Sequence, residues 1–182
     1  MQKEIDRYNG KTSLYTTVYA FEETEEKQRE DYKWIAPKYL TAIIDKLFFD
    51  LDKENCYEVM LKFHNYLEKL DIMHCIMFSG KGFHIYIFTV EIRNQLKYKK
   101  DAYFNIQKFF ADHIGLTIGE SEKADLDTAV IGDLARITRI PNTFNMRRER
   151  YCIPLSKEDL VIGYEDLKEK AKQQQYPKNR IF

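Results

Sequence analysis

Three features of the sequence predict an α/β fold. Several apolar runs have strand character, two stretches between them carry helical apolar spacing, and a two-glycine turn joins two of the runs. Residues 14–21 (Leu-Tyr-Thr-Thr-Val-Tyr-Ala-Phe) are β-branched and aromatic, as a strand requires. After Pro37 a short helix or loop leads into residues 42–52, an apolar run closed by acids that fits a buried strand. Between Glu54 and Leu70, apolar Val59, Phe63, Leu67 and Leu70 recur every three or four residues, the signature of an amphipathic helix. Residues 72–78 and 83–90 are strand-like and flank Ser79-Gly80-Lys81-Gly82, so they are expected to form a β-hairpin. A second helix is expected over 98–114, with Phe104, Ile106, Phe109, Phe110 and Ile114 as its apolar candidates and Gly115 as its C-cap. Residues 124–138 are short and mixed, 146–155 have strand character with Pro154 near the end, and 164–174 suit a polar terminal helix. With no internal repeat, low-complexity tract or linker, the expectation is one domain over 1–182, its motif-bearing core at about 42–155.

Composition narrows the classes. The 182 residues include 29 basic and 29 acidic side chains, so the formal net charge is zero, and 44% are hydrophobic. Such a chain buries a core and is not disordered as a whole. No apolar run approaches the roughly 18 residues of a membrane span, and the opening residues lack a signal-peptide apolar stretch. Cys56, Cys75 and Cys152 are far apart with no CxxC pair, which argues against a disulfide framework or a zinc finger. The expected setting is therefore a reduced, cytoplasmic one. Charge is unevenly spread. Residues 136–150 hold five arginines against Glu149 alone, and residues 22–31 hold six acids against two bases. Each is compatible with a solvated face, and the basic stretch also with tracking phosphates.

Three constellations suggest chemistry. Asp50 and Asp52 are two apart at a strand end, so their side chains share a face, with Cα atoms about 6.5–7 Å apart. Carboxylates so placed can bridge two divalent cations for in-line phosphoryl transfer, and Mg²⁺ suits oxygen ligands of this kind. The alternative is a pair of strand-end acids facing water. In Ser79-Gly80-Lys81-Gly82-Phe83-His84, glycines let the backbone approach an anion, Ser79 and Lys81 add a hydroxyl and a charge, and His84 opens the next strand. The alternative is a turn that only needs its glycines. Arg136 and Arg139, three apart before Pro141, can hold a polyphosphate bidentately, with Asp127 as a further metal ligand; otherwise they are exposed arginines bridging to surface acids.

In this order (a strand ending in DxD, an SGxGxH turn, then D-x-x-V followed by spaced arginines and a proline) the motifs resemble the archaeo-eukaryotic primase superfamily, which includes the catalytic small subunit of DNA primase and primase-polymerases. The resemblance runs from Asp50 to Arg139, more weakly to Asn145. It implies an α/β (α+β) catalytic core with an RRM-like half, a mixed or antiparallel sheet flanked by helices, and template-directed nucleotidyl transfer. On it, Asp50, Asp52 and Asp127 match the catalytic metal ligands for two Mg²⁺ or Mn²⁺ ions, with Asp133 as a competing third carboxylate. Ser79, Gly80, Lys81, Gly82 and His84 match the nucleotide's phosphate grip, joined by Arg139, by Arg136 more weakly, and by Asn145, where eukaryotic small subunits carry a phosphate-contacting histidine. Template would lie along Arg147, Arg148 and Arg150. The implied partners are single-stranded DNA, an NTP or dNTP, and a primase large subunit, helicase or other replication protein. The implied activity is primer synthesis or extension. Its rivals are an end-joining or gap-filling polymerase of the same superfamily, a non-catalytic nucleotide or nucleic-acid binding module, and a two-metal nuclease. His64, His74, Cys56 and Cys75 lack usual zinc spacing and are expected to be core or surface residues.

Overall fold

A computed structural model of the chain describes residues 1–93 and 98–175. Helix α1 (Gln2–Tyr8) is followed by strands β1 (Tyr15–Thr17), β2 (Ala20–Phe21), β3 (Thr24–Arg29) and β4 (Tyr32–Pro37). After a 3₁₀ turn come β5 (Ala42–Leu51), α2 (Cys56–Lys69), β6 (His74–Phe78), β7 (Phe83–Ile92) and α3 (Lys99–Ile114). Short strands β8 (Ile137–Arg139), β9 (Phe144–Asn145), β10 (Arg150–Tyr151) and β11 (Ile153–Pro154) lead to α4 (Tyr164–Lys170). The main sheet has the order β11-β6-β7-β5-β2, and every pairing in it is antiparallel. This is a mixed α+β fold, as the sequence predicts.

The two faces of the sheet follow from strand periodicity. Leu47, Phe49 and Leu51 of β5 lie opposite Ile87, Ile85 and Phe83 of β7, and all six are fully or nearly fully buried. Their face receives α2, whose Val59, Met60, Phe63 and Leu67 are buried, with the Phe63 ring 4.7 Å from that of Phe49. The alternate residues, Phe48 and Asp50 opposite Tyr86 and His84, look out from the other face, where the cleft forms.

Three sequence expectations are corrected: the strands at 14–21 and 146–155, and the buried stripe of the helix at 98–114. The 14–21 strand divides, because buried Val18 and Tyr19 dip into the core: β1 pairs with β8, whereas β2 pairs with β5. The acidic 22–31 stretch lies largely in β3 of an exposed hairpin with β4, where Lys27–Glu25 and Lys33–Glu26 ion pairs offset its charge. In place of a 146–155 strand there are two-residue β10 and β11 after a turn with Glu149 at φ 53°. Pro154 lies in the edge strand β11, where its missing N–H costs no ladder bond.

Helix α3 buries a different stripe from the apolar one expected. Ile106 and Phe109 are exposed, and Lys99, Tyr103, Gln107 and Ala111 face inward. The cause is the open edge of β5, which β2 covers only at Ala42 and Ile43. Beyond that point the Tyr103 hydroxyl accepts the Phe48 N–H at 3.0 Å and Gln107 Nε2 donates to the Phe48 carbonyl at 2.6 Å. Lys99 Nζ likewise donates to the Ala42 carbonyl at 2.7 Å. Polar side chains are selected here because buried backbone groups must be paired. The α3 C-cap is Gly115 in the left-handed region, φ 75°, as anticipated.

Candidate nucleotide-binding cleft

Antiparallel pairing of β5 with β7 puts Asp50 directly opposite His84. Asp52 follows just beyond the end of β5 and is exposed, while Asp50 keeps only 17% of its side-chain surface open. The β6–β7 turn folds back over this strand end. Ser79 N–H donates to the Gly82 carbonyl at 2.9 Å, and the Ser79 hydroxyl both donates to that carbonyl and accepts the Gly82 N–H. Gly82 has no alternative: a Cβ there would sit 1.9 Å from the Leu51 carbonyl oxygen. Gly80 adopts φ 97° against Asn145. The Lys81 carbonyl accepts from the Tyr164 hydroxyl, so α4 steadies the turn from behind.

One cleft of about 480 Å³ is lined by Asp50, Asp52, Ser79, Lys81, Gly82 and His84 together with Arg136, Arg139, Asn145, Arg147 and Arg148. Gly80 shapes its wall through Asn145, whose Nδ2 donates to the Ser79 carbonyl at 3.1 Å. Arg136 forms an ion pair with Asp50, and His84 Nε2 lies 3.7 Å from the other Asp50 oxygen. His84 Nδ1 shares a 3.1 Å hydrogen bond with the Thr138 hydroxyl, which meets the Tyr86 hydroxyl at 2.9 Å. Burial pushes the His84 pKa below the ordinary imidazole value; Asp50 opposes the shift and Arg136 and Arg139 reinforce it. His84 is thus held neutral, and a carboxylate oxygen facing Nε2 favours the proton on that nitrogen.

Several polar atoms of the cleft are buried without a hydrogen-bond partner: Arg136 Nε, Arg139 Nη1 and Asn145 Oδ1. Bare buried donors of this kind are costly unless an anion meets them, so the two guanidinium groups fit a polyphosphate. Asn145 differs from its sequence expectation. Its N–H is spent on Ser79 and its bare atom is an acceptor, which suits a hydroxyl or N–H donor and not a phosphate oxygen. The paired carboxylates are hard oxygen donors of the type that hold Mg²⁺ or Mn²⁺, and the Arg136 contact marks where positive charge is already accepted.

Besides Gly80, which lies behind Asn145, three predicted residues stand outside the lining. Asp127 is partly exposed; its Oδ1 accepts the Ala129 N–H at 2.8 Å and its Oδ2 lies 3.9 Å from Nζ of Lys53, the neighbour of Asp52. Asp133 accepts the Ala135 N–H and acts electrostatically on Tyr19 and Tyr103. Arg150 turns toward α4, donating through Nε to the Lys168 carbonyl at 3.2 Å. Others were not visible in the sequence. Tyr15 accepts from Arg139 Nη2 at 2.7 Å under the same guanidinium, and Ser13 and Thr138 join the lining. Asn9 at the end of α1 accepts the Phe144 N–H and donates to the Asn142 carbonyl, clamping the loop before Asn145. These depend on the β1–β8 pairing and on contacts across more than a hundred residues, for which no local signal exists.

The fold is compatible with a primase-polymerase-like α+β domain. Among solved structures the chain is similar to the polymerase domain from Mycobacterium tuberculosis Ligase D in complex with DNA, with a TM-score of 0.51 and 12% identity. The match covers 87% of this chain but 58% of that one, so the chain spans less than two thirds of that domain's length. At this identity the likeness is one of fold. No family model and no curated protein matches the sequence. No helix among the described residues is long and apolar enough to cross a membrane.

Proposed function

We propose that the protein is a template-directed nucleotidyltransferase of the primase-polymerase type, acting on single-stranded DNA with an NTP or dNTP. The observation that carries this reading is the meeting, in one cleft, of the Asp50–Asp52 pair with bare, buried guanidinium nitrogens of Arg136 and Arg139. The Ligase D neighbour, a polymerase domain in complex with DNA, supports it at the level of fold and of a DNA partner.

In this reading the incoming triphosphate lies along the Ser79–Gly82 turn. Arg139 takes phosphate oxygens through its free Nη1, and Arg136 exchanges its Asp50 contact for the ligand's charge. Neutral His84, oriented through Thr138 and Tyr86, donates from Nε2 to an oxygen of the triphosphate. A primer 3′-hydroxyl attacks the α-phosphorus, forming the new phosphodiester while the α–β P–O bond breaks, pyrophosphate leaves and the hydroxyl proton passes to water. Asp50 and Asp52 would hold the divalent ions, with Asp127, beside Lys53, as the proposed third carboxylate. Mg²⁺ or Mn²⁺ bound there supplies charge neutralisation for this transfer. Arg147 and Arg148, both exposed at the cleft, are proposed to follow template phosphates; Arg150 would steady α4 instead.

The test is extension of a labelled primer on single-stranded DNA with Mg²⁺ or Mn²⁺, supplying NTPs and dNTPs separately, beside an arm with template and no primer. Template-dependent incorporation is expected. Nucleotide binding without incorporation under any of these conditions would overturn the reading in favour of a binding module. Extension confined to the primed arm would assign the chain to strand extension in place of primer synthesis.

A further inference from the structure

Sequence spacing separates His64 from His74, yet the fold brings them together away from the cleft. His64 and Glu68 are one turn apart on α2, and His74 opens β6 after the short connection at 70–73. One ligand atom from each lies within 4.8 Å of the others. His64 Nδ1 and His74 Nε2 are 3.0 Å apart, and His74 Nδ1 donates to the Ile72 carbonyl at 2.7 Å. The cluster lines a separate cavity of about 320 Å³. It lies at the opposite end of β6 from the Ser79 turn, about 17 Å away at the rise of a five-residue strand.

We infer that His64, Glu68 and His74 form a binding site for a transition-metal dication of the zinc class, distinct from the carboxylate pair of the cleft. Two imidazoles and one carboxylate are a borderline-soft donor set, suited to Zn²⁺ and poorly suited to Mg²⁺. The backbone carbonyl that fixes the Nδ1–H of His74 leaves Nε2 as a lone pair facing His64, the orientation in which metal-bound histidines are usually held. Nitrogen ligands about 2.0–2.1 Å from a tetrahedral ion are about 3.3 Å apart, so the present 3.0 Å separation needs to open by only a few tenths of an ångström. Glu68 is paired with Lys157 Nζ at 2.6 Å, but that lysine is largely exposed and exposed ion pairs are weak, so its displacement by a dication is cheap. The fourth position opens into the cavity. A bound ion would tie the last turn of α2 to the first residue of β6.

The test is titration of tag-free full-length protein with Zn²⁺ against a chromophoric chelator, in Mg²⁺ sufficient to occupy the cleft carboxylates, followed by Co²⁺ substitution. One Zn²⁺ per chain is expected, with the visible absorption of a nitrogen-ligated Co²⁺ site. His74→Gln and His64→Gln should each weaken binding at least 100-fold, Lys157→Ala should tighten it by freeing Glu68, and Asp52→Asn should leave it unchanged. Absence of stoichiometric Zn²⁺ from the wild-type protein, or histidine variants that bind as tightly as wild type, would overturn the inference and leave a hydrogen-bonded histidine pair. Affinity lost with Asp52→Asn would also overturn it, by returning the ion to the cleft.

Discussion

Replacing Gly82 by alanine tests the geometry of the cleft directly. The new methyl would lie 1.9 Å from the Leu51 carbonyl oxygen, 2.9 Å from its carbon and 3.0 Å from Asp52 Cα, all backbone atoms of the segment that carries the acids. Reaching an ordinary contact near 3.4 Å requires the turn and the strand end to part by about 1.5 Å. No side chain can rotate to absorb this, and the Ser79–Gly82 hydrogen bonds make the turn move as a unit. The next ladder pair, Leu51 with Phe83, is fully buried, so part of the displacement becomes core strain of about 1–3 kcal/mol. At the middle of that range the melting temperature falls by roughly 4–8 °C for a chain of this size. Misplacement by more than an ångström between carboxylates and phosphate grip should also lower incorporation by about 100-fold. Thermal unfolding by circular dichroism and single-turnover primer extension read the two effects separately. Lys81→Ala, at an exposed position in the same turn, serves as the control that keeps the wild-type melting temperature. A Gly82→Ala protein that melts within about a degree of wild type and extends primers at the wild-type rate would refute this account of the turn.

Asp52→Asn should lower incorporation by at least about 100-fold without changing the melting temperature, because its side chain is exposed; retained activity removes it from the metal site. Comparison of Asp127→Asn with Asp133→Asn in the same assay decides the third carboxylate, with the larger loss expected at Asp127, and a larger loss at Asp133 reverses the assignment. Arg147→Ala combined with Arg148→Ala should reduce the salt dependence of single-strand binding by a slope of about 1.4, two phosphates at about 0.7 each, as measured by fluorescence anisotropy; an unchanged slope excludes both from the template path. Folding lowers the pKa of His84 and of His64 below 6.5, chiefly by burial, so the unfolded chain binds protons that the native chain refuses. Stability from these groups is therefore full above about pH 6.5 and is lost as pH falls through their native values, and urea midpoints should decline between pH 7 and 5. His84→Gln should flatten that decline, and a midpoint independent of pH over this range would contradict the sign.

Local physics made much of this molecule legible in its sequence. The strand 42–51, helix 56–69, the two-glycine turn and the following strand all announce themselves, because period-two burial, 3.6-residue spacing and the backbone demands of glycine act over a few residues. The placing of Asp50 on the face away from Leu47, Phe49 and Leu51 needs only that alternation, whereas Asp52 follows beyond the strand. Short elements held by distant partners left no comparable trace. The division of residues 14–21, the two-residue strands after Phe144 and the exposed 24–37 hairpin depend on which segments meet, and three-residue strands have no stability of their own. The stripe of α3 was also misleading by hydrophobicity alone, since Tyr103 and Gln107 are buried to satisfy the open edge of β5 at Phe48. Only tertiary structure brought Tyr15 under Arg139, paired Arg136 with Asp50, spent the Asn145 amide on Ser79 and drew His64 to His74. Sequence thus determined which chemical groups exist and which strand face each shares, whereas convergence of charges from segments eighty or more residues apart was decided by the closing of the chain, a long-range event that no local pattern encodes.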